Sequence, residues 1–223
     1  MKTVLITGAN RGIGLALARQ YIERGDRVIG VCRHSSDELE ATGARVEAGV
    51  DVTDGAAVAR LASRLEGESI DVLLLNAGVL VRDALGSLDE DAFEAMRLQF
   101  EVNTIGPLRV VQALLDRLHD GSSVAIITSR MGSMADNGSG GSYGYRASKA
   151  AVNAVGKSLA VDLAPRGIAV LLLHPGYVAT DMVGGKGDVQ PAQAAAGLIE
   201  RIDELGLDDS GSFWHAKGDP LPW

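Results

Sequence analysis

The sequence predicts an α/β domain spanning residues 1–223, built as a doubly wound parallel sheet with helices on both faces. Two observations carry this prediction. Short runs rich in Val, Ile and Leu alternate with longer helical patterns along the chain, with no internal repeat and no dividing linker. The first two such runs enclose a glycine-rich turn, which makes the opening of the chain a βαβ unit.

Taken in order, Lys2 to Thr7 is a β-rich run that ends at Gly8 and passes through Asn10, Gly12 and Gly14 into a helix. A strand buried on both faces shows such continuous apolar character rather than alternation. Ile13, Leu17 and Tyr21 recur at helical spacing, with Ala18 and Ile22 beside them and Gly25 as a stop. The second strand runs from Arg27 to Cys32. In this Rossmann-type arrangement the turn lies at the carboxyl end of strand one, where the next helix offers free N–H groups to a diphosphate. Strands are expected near Arg45–Val50, Asp71–Leu75, Ser122–Thr128, Ile168–Leu173 and Gly211–His215, about seven in all. Helices are expected near Asp54–Leu65, Asp89–Leu118, Tyr143–Leu163 and Pro191–Leu205. Two glycine-rich stretches, at 137–142 and 184–187, interrupt the order and are expected to be mobile flaps beside the carboxyl edge of the sheet.

Composition narrows the function. The 223 residues include 46% hydrophobic side chains, enough for one substantial core, and only 4% aromatics. A formal charge of −8 without a basic run argues against nucleic acid as a partner. The single cysteine, Cys32, supports no intrachain disulfide or cysteine zinc cluster, and His34, His119, His174 and His215 lack ligand spacing, so no metal is expected. No run approaches a membrane span, and Met1 leads within two residues into the first strand, so a cytoplasmic location is expected.

The stretch with the clearest chemistry is Tyr143-Gly-Tyr-Arg-Ala-Ser-Lys149. Tyr145 and Lys149 stand at i and i+4 on one helical face, and a nearby ammonium favours the phenolate, so Lys149 is expected to lower the Tyr145 pKa. Tyr143 lacks such a cation and is expected to line the pocket. Pro107, four residues after Asn103, has no N–H, so the helix must bend there and leave the Asn103 carbonyl free to hold a proton-relaying water. A structure with that carbonyl bonded to another backbone N–H would remove the water from the path.

These residues resemble, across the whole chain, the classical short-chain dehydrogenase/reductase family. Thr7-Gly-Ala-Asn-Arg-Gly-Ile-Gly14 matches the TGxxxGxG cofactor loop, which implies cofactor contacts for Gly8, Asn10, Arg11, Gly12, Ile13 and Gly14. Leu75-Asn-Ala-Gly78 matches NNAG except at Leu75, and implicates Asn76, Ala77 and Gly78. Asp51-Val52 resembles the adenine-contacting pair, and Pro175-Gly-Tyr-Val-Ala-Thr180 the PGxxxT segment, which brings in Pro175, Gly176, Val178 and Thr180. Ser129, Tyr145 and Lys149 match the catalytic serine and YxxxK, and Asn103 the assisting asparagine. The resemblance implies hydride transfer between a nicotinamide and a small carbonyl or alcohol. In that scheme Ser129 holds the oxygen, Tyr145 exchanges its proton, and Lys149 binds the ribose. It also implies a strand order of 3-2-1-4-5-6-7 and a homodimer or homotetramer through the helix carrying Ala147, Ala150, Ala151 and Ala154.

An NAD-preferring site offers a carboxylate at the end of strand two. Here that end reads Val31-Cys-Arg33-His34, with no carboxylate until Asp37, and Arg33 with Arg11 is expected to pair with a 2′-phosphate. NADP(H) is therefore expected over NAD(H). The ending Gly211-Ser-Phe-Trp and the closing Pro220-Leu-Pro-Trp223 resemble the branch that holds Sniffer-like carbonyl reductases and C-factor-like proteins. The rival reading, a dinucleotide-binding signalling platform, predicts loss of a catalytic residue, and none is lost.

Overall fold

Seven parallel strands form one sheet in the order β3-β2-β1-β4-β5-β6-β7 in the computed structural model, which describes residues 1–223. The strands are β1 (Thr3–Thr7), β2 (Arg27–Val31), β3 (Arg45–Glu47), β4 (Ile70–Leu75), β5 (Leu118–Ile127), β6 (Ala169–His174) and β7 (Phe213–His215). Alternate residues of each strand feed opposite layers. Leu5 joins a 26-residue apolar cluster with side chains of α3 (Gly55–Arg64), α5 (Gly106–Leu114) and α6 (Tyr143–Leu163). Val4 and Ile6 join a 20-residue cluster with α1 (Gly12–Glu23), α2 (Asp37–Glu40) and α7 (Pro191–Glu204). Burial on both faces is why the strands read as continuous apolar runs.

Three elements differ from expectation. The predicted helix 89–118 is α4 (Glu90–Phe100), a π-turn (Glu101–Ile105), α5 and a 3₁₀ turn (Leu115–Arg117). The Gly106 N–H bonds the Glu101 carbonyl, five residues back, and this added residue is how the helix accommodates Pro107. The four-residue α2 was not foreseen, since one turn is too short to show periodicity; Ser36 caps it through the Leu39 N–H, and Leu39 is buried. The β5 pairing starts early at Leu118 and resumes at Ser123, where the Ser122 hydroxyl donates to the Ile70 carbonyl and bridges the irregularity. No helix is long and apolar enough to cross a membrane.

Candidate active site

A cleft of about 700 Å³ opens at the carboxyl ends of the central strands. Its floor is the turn between β1 and α1. The Thr7 hydroxyl accepts the N–H groups of Asn76 and Ala77 at 3.0 and 3.1 Å, and the Asn76 amide donates to the carbonyls of Thr7 and Gly8, both at 3.1 Å. These four bonds join the ends of β1 and β4. Leu75, the departure from NNAG, points into the apolar core, where its side chain is the suitable one. At Gly14 a Cβ would fall 2.1 Å from the Gly8 carbonyl oxygen, so only glycine lets the helix start this close to the turn. No side chain caps α1, and Arg11, Gly12 and Ile13 line the cleft. Uncapped N–H groups at a helix start suit an anionic diphosphate, so the cradle fits a dinucleotide.

At one end of the cleft stand Arg33, His34 and Asp51. The Arg33 guanidinium is 63% exposed and 3.9 Å from the Asp51 carboxylate, which also accepts the N–H and hydroxyl of Thr53 at 2.9 and 2.8 Å. Partial burial pushes the Asp51 carboxyl up, but the Thr53 bonds and the charges of Arg33 and Arg109 outweigh it, and the net shift is downward. Arg11 faces Asp181 at 3.7 Å across the mouth.

Ser129, Tyr145 and Lys149 line the other end, each less than a tenth exposed. Ser129 follows β5 and accepts the Met131 N–H at 3.1 Å, which curls the chain into a 3₁₀ turn. At Gly132, in that turn, a Cβ would lie 2.7 Å from the Lys149 carbonyl carbon, so the turn rests directly on α6. The Lys149 ammonium donates to the Ile127 carbonyl at 2.9 Å and lies 5.8 Å from the Tyr145 ring centre. Burial lowers Lys149 to about 8. It pushes the Tyr145 phenol up to about 12, against the opposing pull of the Ser129 hydroxyl. The expected lowering of Tyr145 by Lys149 is thus reversed, because desolvation of the phenol exceeds the pull of the Ser129 hydroxyl.

The α6 start is held from sixty residues away. Ser142, at the cap, has φ +49° and makes no side-chain cap; instead the Asp83 carboxylate accepts the N–H groups of Tyr143 and Gly144 at 2.5 and 3.0 Å. Arg146 ties the glycine-rich stretch back, donating to the Gly141 carbonyl, the Ser139 hydroxyl and the Met131 carbonyl. Asp83→Ala is expected to cost about 1–2 kcal/mol, the usual loss for an N-cap, seen as a melting temperature lower by roughly 2–8 °C. An unchanged melting temperature would show that water replaces the carboxylate without loss.

The short chain dehydrogenase family model matches residues 2–190. The chain belongs to the short-chain dehydrogenases. It is 47% identical over 229 residues, covering all of both chains, to 1-hydroxy-2-glutathionyl-2-methyl-3-butene dehydrogenase of Rhodococcus sp. (strain AD45). It is 43% identical to the C-signal of Myxococcus xanthus over 157 residues, covering 69% of this chain and 93% of that one. Among solved structures it resembles the carbonyl reductase Sniffer of D. melanogaster, with a TM-score of 0.91, 29% identity and full coverage of both chains. NADPH-bound carbonyl reductase from chicken fatty liver matches with a TM-score of 0.89 and 27% identity over 100% of this chain and 99% of that one. This short-chain dehydrogenase is an NAD(P)-dependent oxidoreductase.

Most of the residues expected from the dehydrogenase motifs meet in the one cleft. Gly8, Asn10, Asn76, Ala77 and Gly78 line its floor, Val52 lies beside Asp51, and Pro175, Gly176, Val178 and Thr180 form the wall after β6. Gly14 and Asn103 do not line it. Gly14 packs beneath the turn, as its contacts require. Asn103 is buried behind Lys149, where its amide accepts the Val79 N–H and donates to the Val79 carbonyl and the Ser148 hydroxyl; Ser148 in turn bonds the Tyr145 carbonyl. Tyr143, expected in the pocket, points outward and is not among its lining residues, since Asp83 fixes the first turn of α6. His34, Arg82, Arg130 and His174 line the cleft without having been expected there. Of these, His34, Arg130 and His174 adjoin a motif, and nothing in the sequence around Arg82 marks it.

Proposed function

We propose that this dehydrogenase uses NADP(H) to interconvert a carbonyl and an alcohol, with Tyr145 as general acid and base. One observation carries the reading: Ser129, Tyr145 and Lys149 are buried together in the cleft whose floor is the glycine turn. The nicotinamide, when bound, supplies or accepts the hydride. Ser129 holds the substrate oxygen by a hydrogen bond, and the Tyr145 phenol gives it a proton in reduction and recovers it in oxidation. In this reading Lys149 would hold the cofactor ribose, and Asn103 positions the Tyr145–Lys149 turn through Ser148. Purified protein assayed with NADPH and NADH against a carbonyl panel tests the reading. Because the Rhodococcus relative's name describes an alcohol with a glutathionyl group on the neighbouring carbon, oxidation of such a thioether alcohol belongs in the same assay. Tight NADPH binding with no turnover in either direction would favour the binding platform that similarity to C-signal suggests.

Arg33 carries the cofactor preference in this reading. Its guanidinium faces the cleft, with Asp51 as its only charged partner, at 3.9 Å. Arg33→Ala is expected to raise the KM for NADPH about tenfold, as loss of one charge-assisted bond implies, and to leave NADH unchanged. Equal effects on both cofactors would remove the 2′-phosphate from the explanation. Phe93, Leu98, Leu108 and Val161 leave apolar area exposed on α4, α5 and α6, and we assign these helices to the interface of a homodimer or homotetramer. A monomeric mass by light scattering would remove that assignment.

A further inference from the structure

The substrate end of the cleft carries a cation that the chain does not neutralise. Arg82 lines the cleft, is exposed, and makes no hydrogen bond or ion pair within the chain. Its place is set by its neighbour: Asp83 bonds the first turn of α6, one residue before Tyr145, and Ser142 on the same turn also lines the cleft. Arg82 is therefore held beside the reacting end rather than beside the cofactor's adenosine end, where Arg33 and Asp51 lie.

The surrounding charges leave it unmatched. Asp83 spends both carboxylate oxygens on backbone N–H groups of α6. Asp136 pairs with Arg130, another lining residue, at 2.9 Å. Arg146 bonds only carbonyl and hydroxyl oxygens. Of the arginines that line the cleft, Arg11 faces Asp181, Arg33 faces Asp51 and Arg130 faces Asp136, which leaves Arg82 alone without a carboxylate in a chain whose formal charge is −8. An uncompensated charge on a concave wall focuses the field on ligands of the opposite sign. Met131, Tyr177, Met182 and Val183 supply apolar lining in the same cleft.

Resting on the proposed carbonyl and alcohol chemistry, we infer that the substrate carries a carboxylate joined by an apolar body to the reacting carbon, and that Arg82 is the residue that reads it. A guanidinium binds a carboxylate through two parallel N–H bonds, which a methyl ester cannot match.

The experiment compares 4-formylbenzoate with its methyl ester, and 4-oxopentanoate with its methyl ester, in the NADPH-dependent assay. In the wild-type chain the acid of at least one pair is expected to have about tenfold higher kcat/KM, an advantage that falls as salt is raised. Arg82→Ala is expected to abolish that advantage, leaving the ester rates and the KM for NADPH unchanged, which also reports that the variant is folded. Arg82→Lys is expected to recover part of it. If acid and ester react equally in the wild type, or the preference survives in Arg82→Ala, the inference is overturned. If no carbonyl is reduced at all, calorimetry with 4-(hydroxymethyl)benzoate and its methyl ester on the NADP⁺-loaded chain decides separately. Tighter acid binding that depends on Arg82 upholds the anion site although the activity reading has failed, and equal binding rejects both.

Discussion

Tyr145→Phe is expected to lower kcat for carbonyl reduction by about 100- to 10,000-fold, the range that general acid catalysis supplies, while NADPH still binds. The substitution removes one oxygen from a buried ring on α6, beside the Ser129 hydroxyl. Its pH behaviour gives a second readout. With the phenol pushed up to about 12, Tyr145 holds its proton throughout the neutral range, so reduction always finds a donor. Lys149, lowered to about 8 by burial, loses its charge above that pH, so reduction is expected to be flat below about pH 8 and to decline beyond it. Oxidation needs the phenolate instead and is expected to quicken with rising pH until Lys149 deprotonates. Retention of a tenth or more of kcat in Tyr145→Phe would assign the proton to another group, and Ser129 would be the first to test.

Gly14→Ala is expected to be the most damaging single methyl addition in the cofactor cradle. The new Cβ would meet the Gly8 carbonyl oxygen at 2.1 Å and the Asn76 amide nitrogen at 2.7 Å, both parts of the bonded junction between β1 and β4. Neither can yield without breaking hydrogen bonds that hold the turn. Overpacking of this kind costs about 1–3 kcal/mol, which corresponds to a melting temperature lower by roughly 2–12 °C. The displaced turn also moves the uncapped N–H groups of α1, so NADPH affinity is expected to drop together with stability. Full NADPH affinity in this variant would show that Asn76 and Gly8 yield without moving the turn.

Much of this dehydrogenase is legible in its sequence. The helix from Tyr143 to Leu163 and the strands at 27–31 and 70–75 appear where their apolar runs place them, because burial on both faces writes an unbroken pattern. The TGxxxGxG spacing marked the glycine turn between β1 and α1 for a comparably local reason: strand, turn and helix start are consecutive in the chain. The π-turn was half legible. Pro107 announced a disturbance, but whether a helix answers a missing N–H by kinking or by taking in an extra residue depends on what it packs against.

The sequence by itself determined the order of the elements, the glycine turn and the i, i+4 placement of Tyr145 and Lys149, since each is a property of neighbouring residues. Only the tertiary structure decided that Asp83 caps α6 across sixty residues, that Asn103 lies behind the cleft rather than in it, and that Arg82 stands unpaired at its mouth. It also reversed the expected direction of the Tyr145 pKa, because a nearby lysine is a fact of spacing whereas desolvation depends on everything packed around the phenol.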